Sequence, residues 1–193
     1  MLRTVLLIGD SPFLGTIKDK IHYLIDKYDS IGINNSIRLY PIKKHIFQDM
    51  KFIPLTLKYQ EIPTVTLYMY GDMISKDKRE LIDSYTFNFS KNSPEDIVRD
   101  GKLAWCGFTH DYAVSYCIYK GYDKVILIGA ADFIGGGHYA THEDFIYAEK
   151  LKKQSKRFIE EVCSKKIKIY TLNPESFLNV PRISSEELLE TDF

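Results

Sequence analysis

Short apolar runs punctuate this chain, and amphipathic stretches with helical spacing separate them. Val5–Ile8 is the first run, as expected of a strand buried on both faces. Gly9-Asp10-Ser11-Pro12 ends it, and Ile17, Ile21, Leu24 and Ile25 then recur as one face of a helix over about Leu14–Tyr28. Ile31-Gly32-Ile33 is a second strand, closed by Asn34-Asn35. Pro41–Met50 reads as a short helix, and Thr64–Tyr70, rich in β-branched and aromatic residues, as a strand. Ser75 caps a weakly striped helix over Lys76–Ser84. Ser93-Pro94-Glu95-Asp96 opens another helix, with Gly101 as its stop.

The second half repeats the alternation. Thr109–Lys120 is an apolar-rich helix with Gly121 behind it, and Val125–Ile128 is a buried strand followed by Gly129. Thr141 to Asp144 resembles a capping box and starts a long helix to about Ser164, striped by Phe145, Ala148, Leu151, Phe158, Ile159 and Val162. Ile167–Leu172 is the last core strand, Asn173-Pro174 ends it, and Ser184–Glu187 caps a short C-terminal helix. Strands alternating with helices imply an α/β fold: a Rossmann-like domain over 1–193, its mostly parallel sheet flanked by helices joined in right-handed crossovers. The region Leu39–Pro63 is where the strand order is least constrained.

Composition narrows the function classes. The chain of 193 residues is 45% hydrophobic and 27% charged, and its 26 basic residues balance its 26 acidic ones. Zero net charge argues against an extended nucleic-acid surface. Lys150, Lys152, Lys153, Lys156 and Arg157 cluster, but a solvated helix face explains them best. Cys106, Cys117 and Cys163 form neither a disulfide framework nor a zinc pattern, which fits a reducing, cytoplasmic setting. Cys117 and Cys163 fall within apolar helical patterns and read as core. No run approaches the ~20 apolar residues of a membrane span, and the first strand is too short for a signal peptide. The 14 tyrosines, Tyr68 and Tyr70 among them, suit a self-association surface and thus a homo-oligomer, or equally core packing.

In parallel sheets ligands bind beyond the carboxyl ends of the strands, so the residues that follow each strand are the candidates. Gly9, Asp10, Ser11 and Pro12 follow the first. Gly9 allows a tight turn, and the amides entering the next helix can face an anion, although this is neither a dinucleotide fingerprint nor a Walker loop. Asn34 follows the second strand; it suits a ribose, a base edge or a sugar hydroxyl, and equally a side-chain turn. After Val125–Ile128 come Asp132, the glycines 135–137, His138, Tyr139, His142, Glu143 and Asp144. This segment can hold a phosphate or move a proton. His110, beside Thr109 at a helix start, stands equally open to a ligand-contacting and a structural role, while His22 and His45 read as structural.

The segments "FTHDYAVSYCIYKGYDKVILIGAAD" and "FIGGGHYA" resemble the central motif of bacterial sialyltransferases of glycosyltransferase family 42. "FIEEVCSKKIKIYTLNPESFL", "LLIGDSPFLG" and "SIGINNS" resemble three further blocks of that family, in the same order. The chain is also similar to proteins like 6-hydroxymethylpterin pyrophosphokinase, which share the architecture. The family-42 resemblance implies a CMP-linked sugar donor, no metal cofactor, a His as general base and Tyr residues on the departing phosphate. It implies Gly9, Asp10, Pro12, Asn34 and Thr109 around the nucleotide and Tyr139 on the phosphate. Asp10 stands where the family has Asn, Ile134 where a second Tyr is expected, and the lid that carries the base His is shorter. His142 and His138 are the nearby candidates for that base; Ser11, His110 and Asp132 complete the expected nucleotide site. The expected function is a nucleotide- or nucleotide-sugar-dependent transferase. The alternatives are a pyrophosphokinase-like phosphoryl enzyme using Mg²⁺ on Asp10, Asp72 or Asp132, and a non-catalytic nucleotide-binding protein.

Overall fold

The computed structural model describes residues 2–59, 61–67, 73–74, 81–85, 87–88, 97–99, 102–104, 108–132, 142–191 and 193. Side chains are described for these except 67, 84–85, 87–88, 98–99 and 142–148. Seven parallel strands make the main sheet: β1 (Thr4–Ile8), β2 (Asp29–Ile33), β3 (Lys44–Ile46), β4 (Thr64–Leu67), β5 (Ile82–Tyr85), β9 (Lys124–Ile128) and β10 (Lys168–Thr171). Their spatial order is β10-β9-β1-β2-β3-β4-β5. A small three-stranded sheet holds β6 (Phe87–Asn88), β8 (Lys102–Ala104) and β7 (Val98–Arg99) in that order, with β7 antiparallel to β8. The fold is Rossmann-like, as the alternating pattern implies.

The continuous apolar runs have a simple cause. Val5 and Leu7 point into one hydrophobic layer, Leu6 and Ile8 into the other, and all four are fully buried. Each such side chain contributes about 1.5–3 kcal/mol of burial. The chain after β1 passes through a 3₁₀ turn (Pro12–Ile17) into α1 (Lys18–Lys27), and Ile21, Leu24 and Ile25 pack against Leu6, Ile8, Ile126 and Ile128. On the opposite face α3 (Thr109–Tyr119) lays Ala113 and Cys117 against Val5, Leu7, Val125 and Leu127. The long helix α4 (His142–Arg157) continues through a π turn (Phe158–Val162) and also packs on that face through Phe158, Ile159 and Val162. A C-terminal helix α5 (Ser185–Glu190) starts at a Ser184–Glu187 capping box and lies beside α1.

These crossovers fix the switch point. Ile8 is in register with Gly32 of β2 on one side and Ile128 of β9 on the other. The chain leaves β1 toward one face and leaves β9 toward the other, so a crevice opens between their carboxyl ends.

Three expectations are corrected. Pro41–Met50 holds no helix; Lys44–Ile46 is strand β3, and the helical pieces flank it as 3₁₀ turns at Asn34–Arg38 and Met50–Phe52 and as α2 (Ile53–Lys58). His45 and Ile46 are fully buried, and burial on both faces in mid-sheet overrides the weak helical spacing. The helix expected to run to Ser84 gives way to β5 from Ile82, paired with β4; residues 75–80 lie outside the described residues. The helix expected from Ser93 to Gly101 does not extend to Val98–Arg99, which pair with β8. Residues 91–96 and Gly101 lie outside the described residues, as do 68–70 of the third expected strand. Among the described residues no helix is long and apolar enough to cross a membrane.

Candidate functional site

The crevice exists because β1 and β9 approach at glycines. The Gly9 amide donates to the Ile128 carbonyl at 2.9 Å. A Cβ on Gly9 would lie 2.0 Å from the Gly129 carbonyl oxygen, so no other residue fits. Gly129 itself has φ +64°, open to glycine at no cost. Two non-glycine residues at strand ends also take left-handed backbone: Asn34 after β2 (φ 54°) and Ala131 after β9 (φ 62°). Asn tolerates that region; Ala does so at a cost of about 1–2 kcal/mol. Such strain gathers where the surrounding structure holds a functional geometry.

Asp132 follows Ala131, and both of its carboxyl oxygens are buried without a hydrogen-bond partner. Burial pushes its pKa up to about 6; the nearby Asn173 and Ser11 side chains and the Arg182 charge pull it down less strongly. Ser11 and Asn173 therefore stand beside the carboxyl, yet neither completes a bond of ordinary geometry. The Asn173 amide nitrogen is likewise buried without a partner. Ser11 Oγ is held in place from behind by the Phe13 amide, 3.1 Å away, which donates to it. Asn173 Oδ1 accepts from the Glu175 amide at 2.9 Å, an Asx turn that fixes the side chain. Ser176 Oγ donates to the Ala131 carbonyl at 3.2 Å, and Arg182 donates to the carbonyls of Ser176, Leu178 and Val180. The segment after β10 is thus tied down as one wall of the crevice.

On the other side of β1 the Asn35 amide donates to the exposed Asp10 carboxylate at 3.2 Å. The Asn34 carbonyl accepts from His45 Nε2 at 2.8 Å, and Asn34 Oδ1 is buried without a partner. Burial pushes His45 down to about 4, so its ring is neutral and Nε2 carries the hydrogen. His45 is structural, as expected from sequence, and what it supports is a candidate site residue.

The expected residues separate into three groups. Gly9, Asp10, Ser11, Asn34 and Asp132 share the carboxyl edge of β1, β2 and β9, with Pro12 opening the 3₁₀ turn beside them. Thr109 and His110 begin α3 on the far face. The carbonyl after that helix, at Lys120, accepts from Arg3 just before β1, so the helix start lies at the carboxyl edge. His110 is engaged in a buried chain. Ser155 Oγ donates to Asp111 Oδ1 at 2.5 Å, so its lone pairs accept from His110 Nε2 at 2.9 Å. The ring stacks on Phe108 and lies 6.0 Å from Phe177. Burial holds its pKa low against the pull of Asp111. His138 and Tyr139 lie outside the described residues, and His142 is the first residue of α4.

Asn173, Ser176, Arg182 and Ser155 were missed. Asn173 had a signal, since it follows a strand as Asn34 does. Ser155 had none, lying in the middle of a helix. Cys117 and Cys163 are fully buried core, as expected. The basic stretch of α4 is mostly exposed, with Lys152, Lys156 and Arg157 in pairs with Glu149, Glu160 and Glu161, consistent with a solvated face. No group of three or more metal-ligating side chains occurs among the described residues. No protein-family model, curated protein or solved structure matches the chain.

Proposed function

We propose that the crevice between β1, β9 and β10 binds a nucleotide or nucleotide-sugar, and that the protein is a transferase acting on that ligand. The observation that carries this reading is the Asp132–Asn173 pair at the switch point, buried polar atoms with no partner of their own. Buried polar groups are ordinarily bonded, and an acceptor beside a donor matches ribose hydroxyls or a base edge. The family-42 resemblance supports the same assignment. On this reading Gly9, Ser11 and Pro12 border the ligand, Asn34 and Thr109 take part in holding the nucleotide, and Tyr139 donates to the phosphate as charge develops there. His142 or His138 is the base for the acceptor hydroxyl.

The first test is thermal unfolding with cytidine, uridine, guanosine and adenosine nucleotides and several nucleotide sugars, each with and without Mg²⁺. A ligand at ~100 times its Kd adds about 2.7 kcal/mol, a rise of roughly 5–10 °C for a chain of this length. A Mg²⁺-independent rise with a nucleotide or nucleotide-sugar supports the reading, CMP-linked donors being the ones the family-42 resemblance implies. A rise that needs Mg²⁺ and a triphosphate supports the phosphoryl-enzyme alternative, and no rise with any of them refutes the nucleotide site. His142→Ala should then abolish turnover with nucleotide affinity nearly intact; lost affinity in a folded variant would make it a ligand-holding residue.

A further inference from the structure

A groove of about 450 Å³ lies beside the crevice, lined by Asn35, Arg38, Lys51, Phe52, Pro54, Leu55 and Lys58. Three of those seven are cationic and none is acidic, in a chain whose net charge is zero. Lys51 has an exposed pair with Asp49 at 3.4 Å, a contact that solvent weakens. Arg38 and Lys58 have no carboxylate partner among the described residues. Elsewhere Lys44 and Lys120 face Asp83, and Lys152, Lys156 and Arg157 along α4 pair with glutamates.

Asn35 joins this groove to the crevice, because it lines the groove and holds the Asp10 carboxylate. The β1 turn itself is therefore acidic, with Asp10 exposed, and disfavours an anion set directly against it. Arg38 follows β2, two strands from β9; Lys51 and Lys58 follow β3, three strands away. At ~4.8 Å per strand the cations stand about 10–14 Å along the sheet edge from Asp132.

We propose that this groove takes the outer phosphate of a nucleoside diphosphate or diphosphate-linked sugar, beyond the phosphate assigned to Tyr139, with the Phe52–Leu55 floor under the uncharged portion next to it. This rests on the crevice reading for the nucleoside end, but the groove is testable alone. The probe is inorganic pyrophosphate, titrated into the full chain by calorimetry at low and high ionic strength. Binding is expected at low salt and weakens as salt screens the three cations. Arg38→Glu with Lys58→Glu, both at exposed positions, should leave the thermal midpoint unchanged and weaken pyrophosphate by at least about tenfold. Asp132→Asn should leave pyrophosphate binding unaltered while abolishing the response to the free nucleoside, which separates failure of the groove from failure of the crevice. Unchanged pyrophosphate affinity in the double variant, or no binding at low salt, would overturn the assignment. So would affinity that keeps rising with oligonucleotide length, since a small-ligand groove saturates at one diphosphate.

Discussion

Replacing Asp132 by Asn should make the ligand-free protein more stable and less able to bind. The carboxyl is held at a pKa of about 6 against an ordinary 3.8, because its oxygens are buried without partners. Two units correspond to about 3 kcal/mol; partial solvent access reduces this to roughly 1–2 kcal/mol. The sign follows from proton binding. The folded state holds the Asp132 proton more tightly than the unfolded chain, so the group's stabilising contribution is complete below about pH 4 and is lost as pH rises through 6. Above that the native state carries a charge it solvates poorly. Asn has the same shape and no charge, so it removes the cost at neutral pH.

The assay is the unfolding midpoint of both proteins, without ligand, from about pH 4 to pH 8. At neutral pH the variant should melt roughly 2–8 °C higher, and the advantage should shrink to near zero at the acid end. With the nucleotide that shifts the parent protein, the variant should show little or no shift. A variant equal to or below the parent in stability at neutral pH would refute the reasoning, because Asp132 would then have partners that the structure lacks. An advantage that does not narrow with acid would also refute it, since the effect would not be a charge effect.

Three other outcomes follow from the same geometry. Gly9→Ala should destabilise the protein by more than about 3 kcal/mol, seen as lost soluble expression or a collapsed urea midpoint, because its Cβ would lie 2.0 Å from the Gly129 oxygen. Ser155→Ala should cost about 1–3 kcal/mol in denaturant unfolding by leaving Asp111 and His110 without their bridge. His45, held near 4 from 6.5, contributes stability above pH 6.5 that is lost as pH falls toward 4, up to about 3 kcal/mol. Because Asp132 gains in that same window, acid titration of the parent should look shallow, and Asp132→Asn should expose the full His45 slope; parallel curves for the two proteins would contradict this.

The parallel α/β architecture was legible because β1, β9 and β10 are buried on both faces and so carry uninterrupted apolar runs. The crevice was legible by the same logic, since a parallel sheet gathers the ends of its strands on one edge: Gly9, Ser11, Asn34 and Asp132 could each be named from position alone. The middle of the chain was not. β3 is three residues long and contains a His and a Lys. Its strand character comes from hydrogen bonding between β2 and β4 rather than from local pattern. The partners that give candidate residues their properties were equally hidden. Nothing near Asp132 in sequence announces Asn173 or Arg182, which return from the following crossover, and nothing near His110 announces Ser155. Chain order shows where strands stop, whereas burial and partnership arise only when distant segments close around those ends.

The polarity of the sheet edge bears on how any ligand would lie. A helix N-terminus after β1 would ordinarily be the place for a phosphate, but here the turn is a 3₁₀ segment and the side chain before it is Asp10. With Asp132 buried alongside, the β1–β9 end favours groups that donate hydrogen bonds; Arg182 lies on its β10 side, and the groove cations lie past Asn35. The Asp10–Asn35 contact is the boundary between the two, which makes Asp10 a selector rather than a binder. Asp10→Asn should therefore reduce repulsion at the β1 turn and let phosphate settle there, so that pyrophosphate binding in the protein lacking the Arg38 and Lys58 charges is partly restored. Were Asp10→Asn instead to weaken nucleotide binding with those cations in place, the Asp10 carboxylate would itself be a ligand contact, and the ligand would run across β1 and not away from it.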